Sequence, residues 1–354
     1  MTDLLSLTPD AARAALADWL VARGEREYRV KQVVPRLWQR PVAAWHDATD
    51  LSAALRDDLA GAFPLLRLTP GAHQVSRDAT EKFLWRLEDG EAIESVLIPE
   101  GKRRTLCISS QVGCALGCVF CATGRMGFRR NLSAAEIVGQ VRELVLQGPA
   151  QKPTNVVFMG MGEPLLNWEA VDAALTILNH ADGLGLGARH ITVSTVGILP
   201  SLAQLAQRPE QFRLALSLHA PTPDLRHELM PIEKKYTLPE VLRALQQFRR
   251  RVTLEYVLIG GKNDSTQQAD ELAQLARPLG ALVNLLPLHP GGAPELAPSS
   301  HAQMLAFERR LKRHGVEAVL RRSRGLDISA ACGQLRVEVE ARRKVRAQEH
   351  ARVQ

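Results

Sequence analysis

The spacing of apolar and polar positions changes near residue 70 and divides the chain into two parts. Before that point, apolar side chains recur every three or four residues, which is typical of helices with one buried face. The run Thr8-Pro-Asp predicts a helix start, and Gly24 predicts its end after apolar positions that continue to Leu20. Two further helices are predicted over residues 29–38 and 51–60. Residues 1–70 are therefore predicted to form a small helical domain.

A β-hairpin is predicted immediately after this domain. Two runs with high strand propensity, residues 82–87 and 92–98, flank the turn-forming pair Asp89-Gly90. We expect residues 71–102 to connect the helical domain to the main body through this hairpin.

From residue 103 onward, short β-rich runs alternate with stretches of helical spacing. The six predicted strands cover residues 105–109, 155–159, 190–195, 212–218, 252–258 and 282–286. The predicted helices between them include residues 133–146, 168–179, 238–249 and 270–276. Repeated β-α units predict a parallel sheet curled into a barrel. We therefore expect an α/β fold with a partial (β/α)6 barrel over residues 103–340, followed by a basic tail over 341–354.

Four polar motifs follow the first four predicted strands, at the ends where barrels carry their catalytic loops. A cysteine-rich loop follows the first strand, and Gly160-Met-Gly-Glu163-Pro follows the second. Ser194-Thr-Val-Gly lies near the end of the third strand, and Ser217-Leu-His219-Ala ends the fourth. Packing alone does not explain four polar motifs on one rim, so this rim is the predicted active site.

Composition and charge narrow the class of protein. The 354 residues include 45% hydrophobic and 5% aromatic residues, an ordinary soluble composition. No apolar run approaches the roughly 18 residues needed to span a bilayer, so no membrane association is expected. The formal charge is only +7, yet basic residues cluster, which favours a polyanionic partner. The clusters are Lys102-Arg103-Arg104, Arg129-Arg130, Lys234-Lys235, Arg249-Arg250-Arg251, Arg321-Arg322 and Arg342-Arg343-Lys344. Each cluster taken singly is also compatible with a solvated helix or strand end.

Three of the five cysteines form the run Cys114-Ala-Leu-Gly-Cys118-Val-Phe-Cys121. Three thiolates this close can bind three irons of a cuboidal iron-sulfur cluster and leave the fourth iron open to a small ligand. A structural zinc site is the alternative, but zinc usually takes four ligands in paired units, and the nearest further cysteine, Cys107, lies in an apolar strand-like run. Disulfides would leave one cysteine unpaired, and no secretion signal is recognisable. We therefore expect a reduced, cytoplasmic environment.

The triplet resembles the signature of radical S-adenosylmethionine enzymes, in which the cofactor chelates the fourth iron and is cleaved to a 5'-deoxyadenosyl radical. Together with the polar motifs and Ala330-Ala-Cys-Gly-Gln-Leu335, it makes nearly the whole chain similar to the RlmN/Cfr family of radical S-adenosylmethionine RNA methyltransferases. The resemblance implies a radical-SAM barrel, with a 4Fe-4S cluster and S-adenosyl-L-methionine as cofactors. It implies large-subunit ribosomal RNA as substrate and, as in some members of the family, transfer RNA as a second substrate. A flavodoxin or ferredoxin is the implied electron donor, and the protein is expected to be a monomer.

The family's reaction gives each cysteine a role. By resemblance, Cys114, Cys118 and Cys121 hold the cluster. Cys332 takes a methyl group from one S-adenosylmethionine as a thiolate nucleophile. The radical formed from a second molecule abstracts hydrogen from that methyl group, and the resulting carbon radical adds to C2 of an adenine. Cys107 then attacks the sulfur of Cys332, which releases the RNA and leaves a Cys107–Cys332 disulfide.

Further site residues follow from the same resemblance. Glu94 corresponds to the proton acceptor for the C2 hydrogen; an outward-facing strand carboxylate is the alternative interpretation. The expected cofactor contacts are Gly162 and Glu163 at the amino group, with Ser194, Ser217, Leu218, His219 and His289 elsewhere on the cofactor.

Two departures from the family pattern occur near the C-terminus. His289 precedes Pro290 where many relatives have an asparagine, and it is bulkier and can be protonated. The run Gly325-Leu-Asp327-Ile-Ser329 has one acidic residue where relatives often have three. Neither departure changes the predicted reaction.

Access to the target places a limit on the substrate. An adenine within a stack cannot present its C2 edge, so the target base must be looped out or flipped. We expect the N-terminal helices and basic rim to bind phosphates while the barrel mouth receives the base.

Three alternatives remain open. Methylation at C8 of adenine is the activity of the Cfr branch; we favour C2 because the N-terminal domain and the motif framework resemble the RlmN branch. A non-catalytic zinc-containing RNA-binding module is the second alternative. A radical enzyme acting on a protein or small molecule is the third, and the cysteine segment near the C-terminus and the basic clusters argue against it.

Overall fold

The computed structural model of the protein describes residues 2–288, 293, 295–328 and 330. The sites predicted at His289 and Cys332, and the predicted tail 341–354, lie outside the described residues. The α-helices are α1 Pro9–Val21, α2 Arg29–Val33, α3 Ala53–Ala62, α4 Ala122–Arg125, α5 Ala134–Leu146, α6 Trp168–Asn179, α7 Leu199–Gln207, α8 Pro223–Leu229, α9 Leu238–Leu245, α10 Thr266–Ala276 and α11 His301–Arg313. The strands are β1 Thr69–Val75, β2 Glu81–Arg86, β3 Ala92–Glu100, β4 Arg103–Cys107, β5 Gln111–Gly113, β6 Phe128–Asn131, β7 Asn155–Phe158, β8 Ile191–Thr195, β9 Arg213–Ser217, β10 Thr253–Leu258, β11 Leu282–Pro287 and β12 Glu317–Leu320.

The helical N-terminal domain is present, with one of its three predicted helices shorter than expected. Helix α1 has proline at its first position, where the missing N–H carries no penalty. The second helix was predicted over 29–38, but α2 ends at Val33 and continues as a 3-10 turn over Val34–Arg36. Pro35 explains the difference because it cannot donate the next α-helical hydrogen bond.

The main body is a ten-stranded mixed sheet in the order β1-β2-β3-β4-β7-β8-β9-β10-β11-β12. Strands β4 and β7 to β12 are parallel to one another, and β3, β2 and β1 extend the sheet from β4 as antiparallel strands. All six predicted barrel strands are present, and the predicted hairpin is β2 and β3. The α/β barrel expectation is thus confirmed.

Two edge strands were not predicted. Strand β12 adds a seventh parallel strand after the six predicted β-α units, and β1 adds a third antiparallel strand. Both are edge strands with largely exposed side chains, so they carry no continuous apolar run. Strands β5 and β6 form a separate two-stranded ribbon on either side of the cysteine loop.

Helix α5 joins the N-terminal domain to the barrel. Arg142 on this helix is 1% exposed and donates to the carbonyl oxygens of Leu37, at 2.9 Å, and Val42. Burial lowers the pKa of Arg142 to about 10. The next residue, Glu143, accepts hydrogen bonds from the Arg67 guanidinium at 2.7 and 2.8 Å and from the Leu68 N–H at 3.2 Å. The loop entering β1 is therefore fixed to the barrel by one buried carboxylate.

In the described part of the chain, no helix has the length and apolar character needed to cross a bilayer.

Replacement of Glu143 by alanine is expected to lower the free energy of unfolding by about 2 kcal/mol, because the Leu68 N–H loses its acceptor. Urea denaturation of the purified protein would measure the change. The matched control is Glu317→Ala, which removes an exposed ion pair with Arg251 and should cost about 0.5 kcal/mol or less. Equal losses in both variants would show that Glu143 does not join the two parts.

Candidate active site

The loops after β4 and β7 are joined by hydrogen bonds at the carboxyl end of the barrel. The Gly160 N–H donates to the Ile108 carbonyl at 3.0 Å, and the Met161 N–H donates to Ser109 Oγ at 2.9 Å. Gly162 has a φ of +96°, and a Cβ there would lie 2.5 Å from the Cβ of Gln111. Glycine is therefore required at this position, both for its backbone conformation and for the close approach of the two loops.

Glu163 connects the loop after β7 to the loop after β8. Its carboxylate is buried and accepts hydrogen bonds from the N–H groups of Leu165 and Val196, each at 3.0 Å. Burial raises the pKa of Glu163 to about 7, while these bonds and one from Thr195 act in the opposite direction. The carboxylate is thus engaged within the protein. The cofactor amino group that was predicted to bind at Gly162 and Glu163 would therefore contact their main-chain oxygens.

The cysteine loop lies between β5 and β6 and is fixed at several points. The Cys114 N–H donates to the Gly127 carbonyl at 3.1 Å, and the Val119 N–H donates to the Leu229 carbonyl at the same distance. At Gly113, with a φ of +74°, a Cβ would lie 1.9 Å from the Gly127 oxygen. The main chain thus holds the three cysteines at the barrel mouth.

The three thiols have the composition expected of an iron-sulfur cluster site. Cys114 and Cys118 are buried, and Cys121 is partly exposed. Burial raises the pKa of the Cys114 thiol to about 12 and raises that of Cys118 as well. Among the described residues, no three His, Cys, Asp or Glu side chains already converge as a metal site. Because metal-bound thiols are deprotonated, convergence and loss of the protons would accompany cluster binding. Three soft ligands on one loop fit a cluster with one open iron.

His219 is a buried residue with left-handed backbone geometry, at a φ of +57°. Its ring Nδ1 accepts the Val257 N–H at 3.1 Å, and the ring meets Phe120 edge to face at 4.7 Å between centroids. Burial, with a smaller contribution from the Arg226 charge, lowers the pKa of His219 to about 3. The imidazole is therefore neutral, with its proton on Nε2, and it contacts the cysteine loop through Phe120.

The other residues predicted to contact the cofactor lie at neighbouring strand ends. Ser194 Oγ is 3.4 Å from Ser217 Oγ, which brings the ends of β8 and β9 together. The Leu218 side chain is fully buried, so only its main chain can meet a ligand. The structure places Gly162, Ser194, Ser217 and His219 on the same rim as the cysteine loop.

Glu94 and Cys107 face the same side of adjacent strands. Val96 on β3 is paired with Cys107 on β4, and Glu94 lies two residues from Val96. Side chains two residues apart on a strand share a face. Glu94 is 3% exposed, and its carbonyl accepts the Ser109 hydroxyl at 2.6 Å, so both candidates lie beside the loop that leads to the cysteine triplet.

The segment that leads toward Cys332 docks on the turn between β1 and β2. Asp327 accepts hydrogen bonds from the Ser76 hydroxyl at 2.5 Å and the Arg77 N–H at 3.1 Å. The Gly325 N–H donates to Asp78 at 2.9 Å. These contacts lower the pKa of Asp327 and, together with bonds from Thr80 and Ser76, lower that of Asp78 to about 2. The single acidic residue noted in this run thus anchors the segment, which we term the strap (residues 321–328).

Two site features were missed from the sequence. Glu255 on β10 accepts a hydrogen bond from Asn284 on β11 at 2.9 Å, and burial raises its pKa to about 7. The buried pair Arg226 and Glu233 lies beneath the rim, where Arg226 also donates to the Val196 carbonyl. A lone polar residue within an apolar parallel strand, as at Glu255 and Asn284, is a signal that could have identified the first feature.

Comparison with known proteins identifies related families for both parts of the chain. The profile of the radical SAM superfamily matches residues 108–276, and that of the ribosomal RNA large subunit methyltransferase N-terminal domain matches residues 2–63. A probable dual-specificity RNA methyltransferase RlmN of Gemmatimonas aurantiaca is 56% identical over 100% of this chain and 98% of its own length. The Geobacillus kaustophilus protein of the same description is 43% identical over 96% of this chain and 93% of its own.

A solved structure shows the same architecture. The crystal structure of a radical SAM methyltransferase from Sphaerobacter thermophilus superposes with a TM-score of 0.87 at 44% identity. The match covers 94% of this chain and 99% of the other, so it includes both the helical domain and the barrel.

The pKa of Glu255 predicts a pH dependence of stability. Its folded-state pKa is raised from 4.5 to about 7, so the protonated side chain is favoured by folding. Relative to a Glu255→Gln variant, the protein should be most stable below pH 4.5 and lose about 3 kcal/mol as the pH rises to 7. Chemical denaturation of both proteins across this range would measure the difference. A constant difference across the range would contradict the prediction.

Proposed function

The chain belongs to the RlmN family of radical S-adenosylmethionine RNA methyltransferases, and from this premise we propose that it methylates C2 of adenine. The proposed substrates are one adenine of large-subunit ribosomal RNA and one of transfer RNA, in line with the dual-specificity description of its relatives. The observation that carries the proposal is the gathering of the cysteine triplet, Cys107 and Glu94 on adjoining elements of one barrel rim.

The proposed cofactor site follows the rim. Cys114, Cys118 and Cys121 would hold a 4Fe-4S cluster, which supplies, when bound, the electron that cleaves the sulfonium bond of S-adenosylmethionine. The main chain at Gly162 and Glu163 would bind the cofactor's amino group, and Ser194, Ser217, Leu218, His219 and His289 would contact the rest.

Because His219 is neutral and held by Val257 and Phe120, it would offer its Nε2–H as a fixed donor. A flavodoxin or ferredoxin is the proposed electron donor.

The remaining roles fall to two cysteines and a carboxylate. Cys332 would carry the methyl group and become bonded through it to the RNA. Glu94 would take the C2 proton, and Cys107 would then attack the Cys332 sulfur, releasing the RNA and leaving a disulfide that an external dithiol reduces. Cys107 is only 8% exposed, which would keep other thiols from competing for this step.

We also propose a division of labour within the chain. Residues 1–70 would bind RNA, residues 71–102 would connect the two parts, residues 103–340 would perform the chemistry, and the basic tail 341–354 would follow. Exposed basic residues of the helical domain, among them Arg23, Arg26 and Lys31, support the RNA-binding role. The protein would act as a monomer.

The family membership argues against the non-catalytic zinc module and against a protein or small-molecule substrate. Methylation at C8 is separated from C2 by mass and nuclear magnetic resonance analysis of the product nucleoside. A methyl group at C8 would place the chain's activity with the Cfr branch.

Replacement of Cys107 by alanine is expected to trap the RNA on the enzyme, because no thiol remains to attack Cys332. After anaerobic reconstitution of the cluster, the variant should give an RNA-protein adduct on denaturing gels with a ribosomal RNA fragment. Wild type should give methylated RNA and little adduct.

The matched control is the double variant Cys107→Ala with Cys332→Ala, which should be brown but form no adduct. A colourless wild-type protein, or an adduct that persists without Cys332, would contradict the proposed mechanism.

Substitution of Arg23, Arg26 and Lys31 by glutamine is expected to lower the affinity for RNA. It should also make that affinity less dependent on salt concentration. Loss of three phosphate contacts should reduce the slope of log affinity against log salt by about 2. Fluorescence anisotropy with a labelled RNA fragment would measure it. The control changes the exposed Arg277, Arg309 and Arg313 on the barrel in the same way. Equal effects of the two triple variants would refute a specific role for the helical domain.

A further inference from the structure

A row of polar side chains crosses four neighbouring parallel strands at the barrel rim. Ser217, Glu255 and Asn284 are paired in register across β9, β10 and β11. Paired residues of parallel strands face the same side of a sheet. Ser194 Oγ lies 3.4 Å from Ser217 Oγ, which extends the row to β8.

The row faces the inside of the barrel. Tyr256, the neighbour of Glu255, packs against Phe307 of α11 with 5.4 Å between ring centroids, so it points toward the outer helices. Because successive side chains alternate between the faces of a strand, Glu255 points the other way. The loop after β9 reaches the same interior, since His219 contacts Phe120 of the cysteine loop. The row therefore lies beside the place where the cofactor is proposed to bind.

Few interactions within the described residues offset the cost of burying the Glu255 carboxylate. It is 5% exposed, and its side chain accepts one hydrogen bond, from Asn284 to Oε1. Burial raises the pKa of Glu255 and outweighs the Asn284 hydrogen bond and the charge of Arg321, which both lower it, and no ion pair to Glu255 is found within residues 2–288, 293, 295–328 and 330. Burial of a carboxylate without a partner costs several kcal/mol in general, so packing alone does not account for this residue. Among the described residues, the side-chain hydrogen bond to this carboxylate goes from Asn284 to Oε1, so Oε2 can accept a hydrogen bond from a ligand.

We propose that Glu255, oriented by Asn284, accepts hydrogen bonds from the ribose hydroxyls of S-adenosylmethionine. This inference rests on the proposed function. A vicinal diol presents two O–H donors, and a carboxylate is an acceptor-only group that can take both. Ser194 and Ser217 lie next along the row and add hydroxyl groups that can donate or accept. The positive sulfonium of the same cofactor further favours a nearby carboxylate.

The test compares two ligands on two proteins. Wild type and Glu255→Gln, both reconstituted anaerobically with the cluster, are titrated by calorimetry with S-adenosylmethionine and with its 2',3'-dideoxyribose analogue. The expected result is a loss of S-adenosylmethionine affinity of about 10- to 100-fold in Glu255→Gln, with the analogue's affinity changed less than about 3-fold. Wild type should likewise bind the analogue at least about 10-fold more weakly than S-adenosylmethionine.

Control variants separate binding from folding. Glu271→Gln makes the same change on α10, away from the row, and should bind both ligands as wild type does. Glu255→Asp keeps the charge on a shorter arm and should fall between wild type and Glu255→Gln. Thermal unfolding of each protein shows whether it is folded, and the analogue titration on wild type needs no variant at all.

Any of the following four results of the titrations would overturn the inference. Equal binding of S-adenosylmethionine by wild type and Glu255→Gln would exclude the contact. Equal weakening of both ligands would show that Glu255 acts only through the fold. If wild type bound the analogue as tightly as S-adenosylmethionine, the row would not bind the diol. Wild type that bound no S-adenosylmethionine at all would overturn the proposed function together with this inference.

Discussion

The hydrogen bonds between residues 108–111 and residues 160–163 fix the barrel mouth, and the rest of the site depends on them. Ser109 is the shared element, because its hydroxyl donates to the Glu94 carbonyl and accepts the Met161 N–H. One side chain thus sets the positions of the antiparallel extension, the approach to the cysteines and the loop after β7. The loop after β7 can approach Gln111 this closely because Gly162 has no Cβ.

Buried charges at the rim serve this arrangement. Glu163 joins the loops after β7 and β8, while Arg226 and Glu233 join the Val196 carbonyl to the Leu238 N–H. Such groups are costly to desolvate, and each is stabilised by hydrogen bonds to main-chain atoms of a loop. Their geometric effect is to hold irregular segments in one conformation, which a purely apolar rim could not do because it has no directional contacts. Glu255 is the exception, since among the described residues its carboxylate accepts one side-chain hydrogen bond, from Asn284.

The parallel strands were predictable because they are buried on both faces and so read as short apolar runs. The order of the motifs along the chain then placed them on one rim, since all carboxyl ends of parallel strands meet there. Edge strands β1 and β12 were not predictable by the same argument, because half or more of their residues are exposed. Pro35 ended α2 earlier than the apolar spacing indicated. Glu255 was missed because its position beside Ser217 and Asn284 depends on the register of β9, β10 and β11, and this register cannot be read from the sequence.

The strap connects the two edge strands of the sheet, which do not pair with each other. Strands β1 and β12 are the two edges of the ten-stranded sheet, and residues 321–328 run from β12 to the turn beside β1. The Arg321 N–H still donates to the Leu285 carbonyl of β11 at 2.8 Å, and farther along the strap the carboxylates of Asp78 and Asp327 accept the hydrogen bonds that hold it. The two edges of the sheet are therefore connected through side-chain hydrogen bonds, which can break without any change in the pairing of β1 with β2 or of β11 with β12.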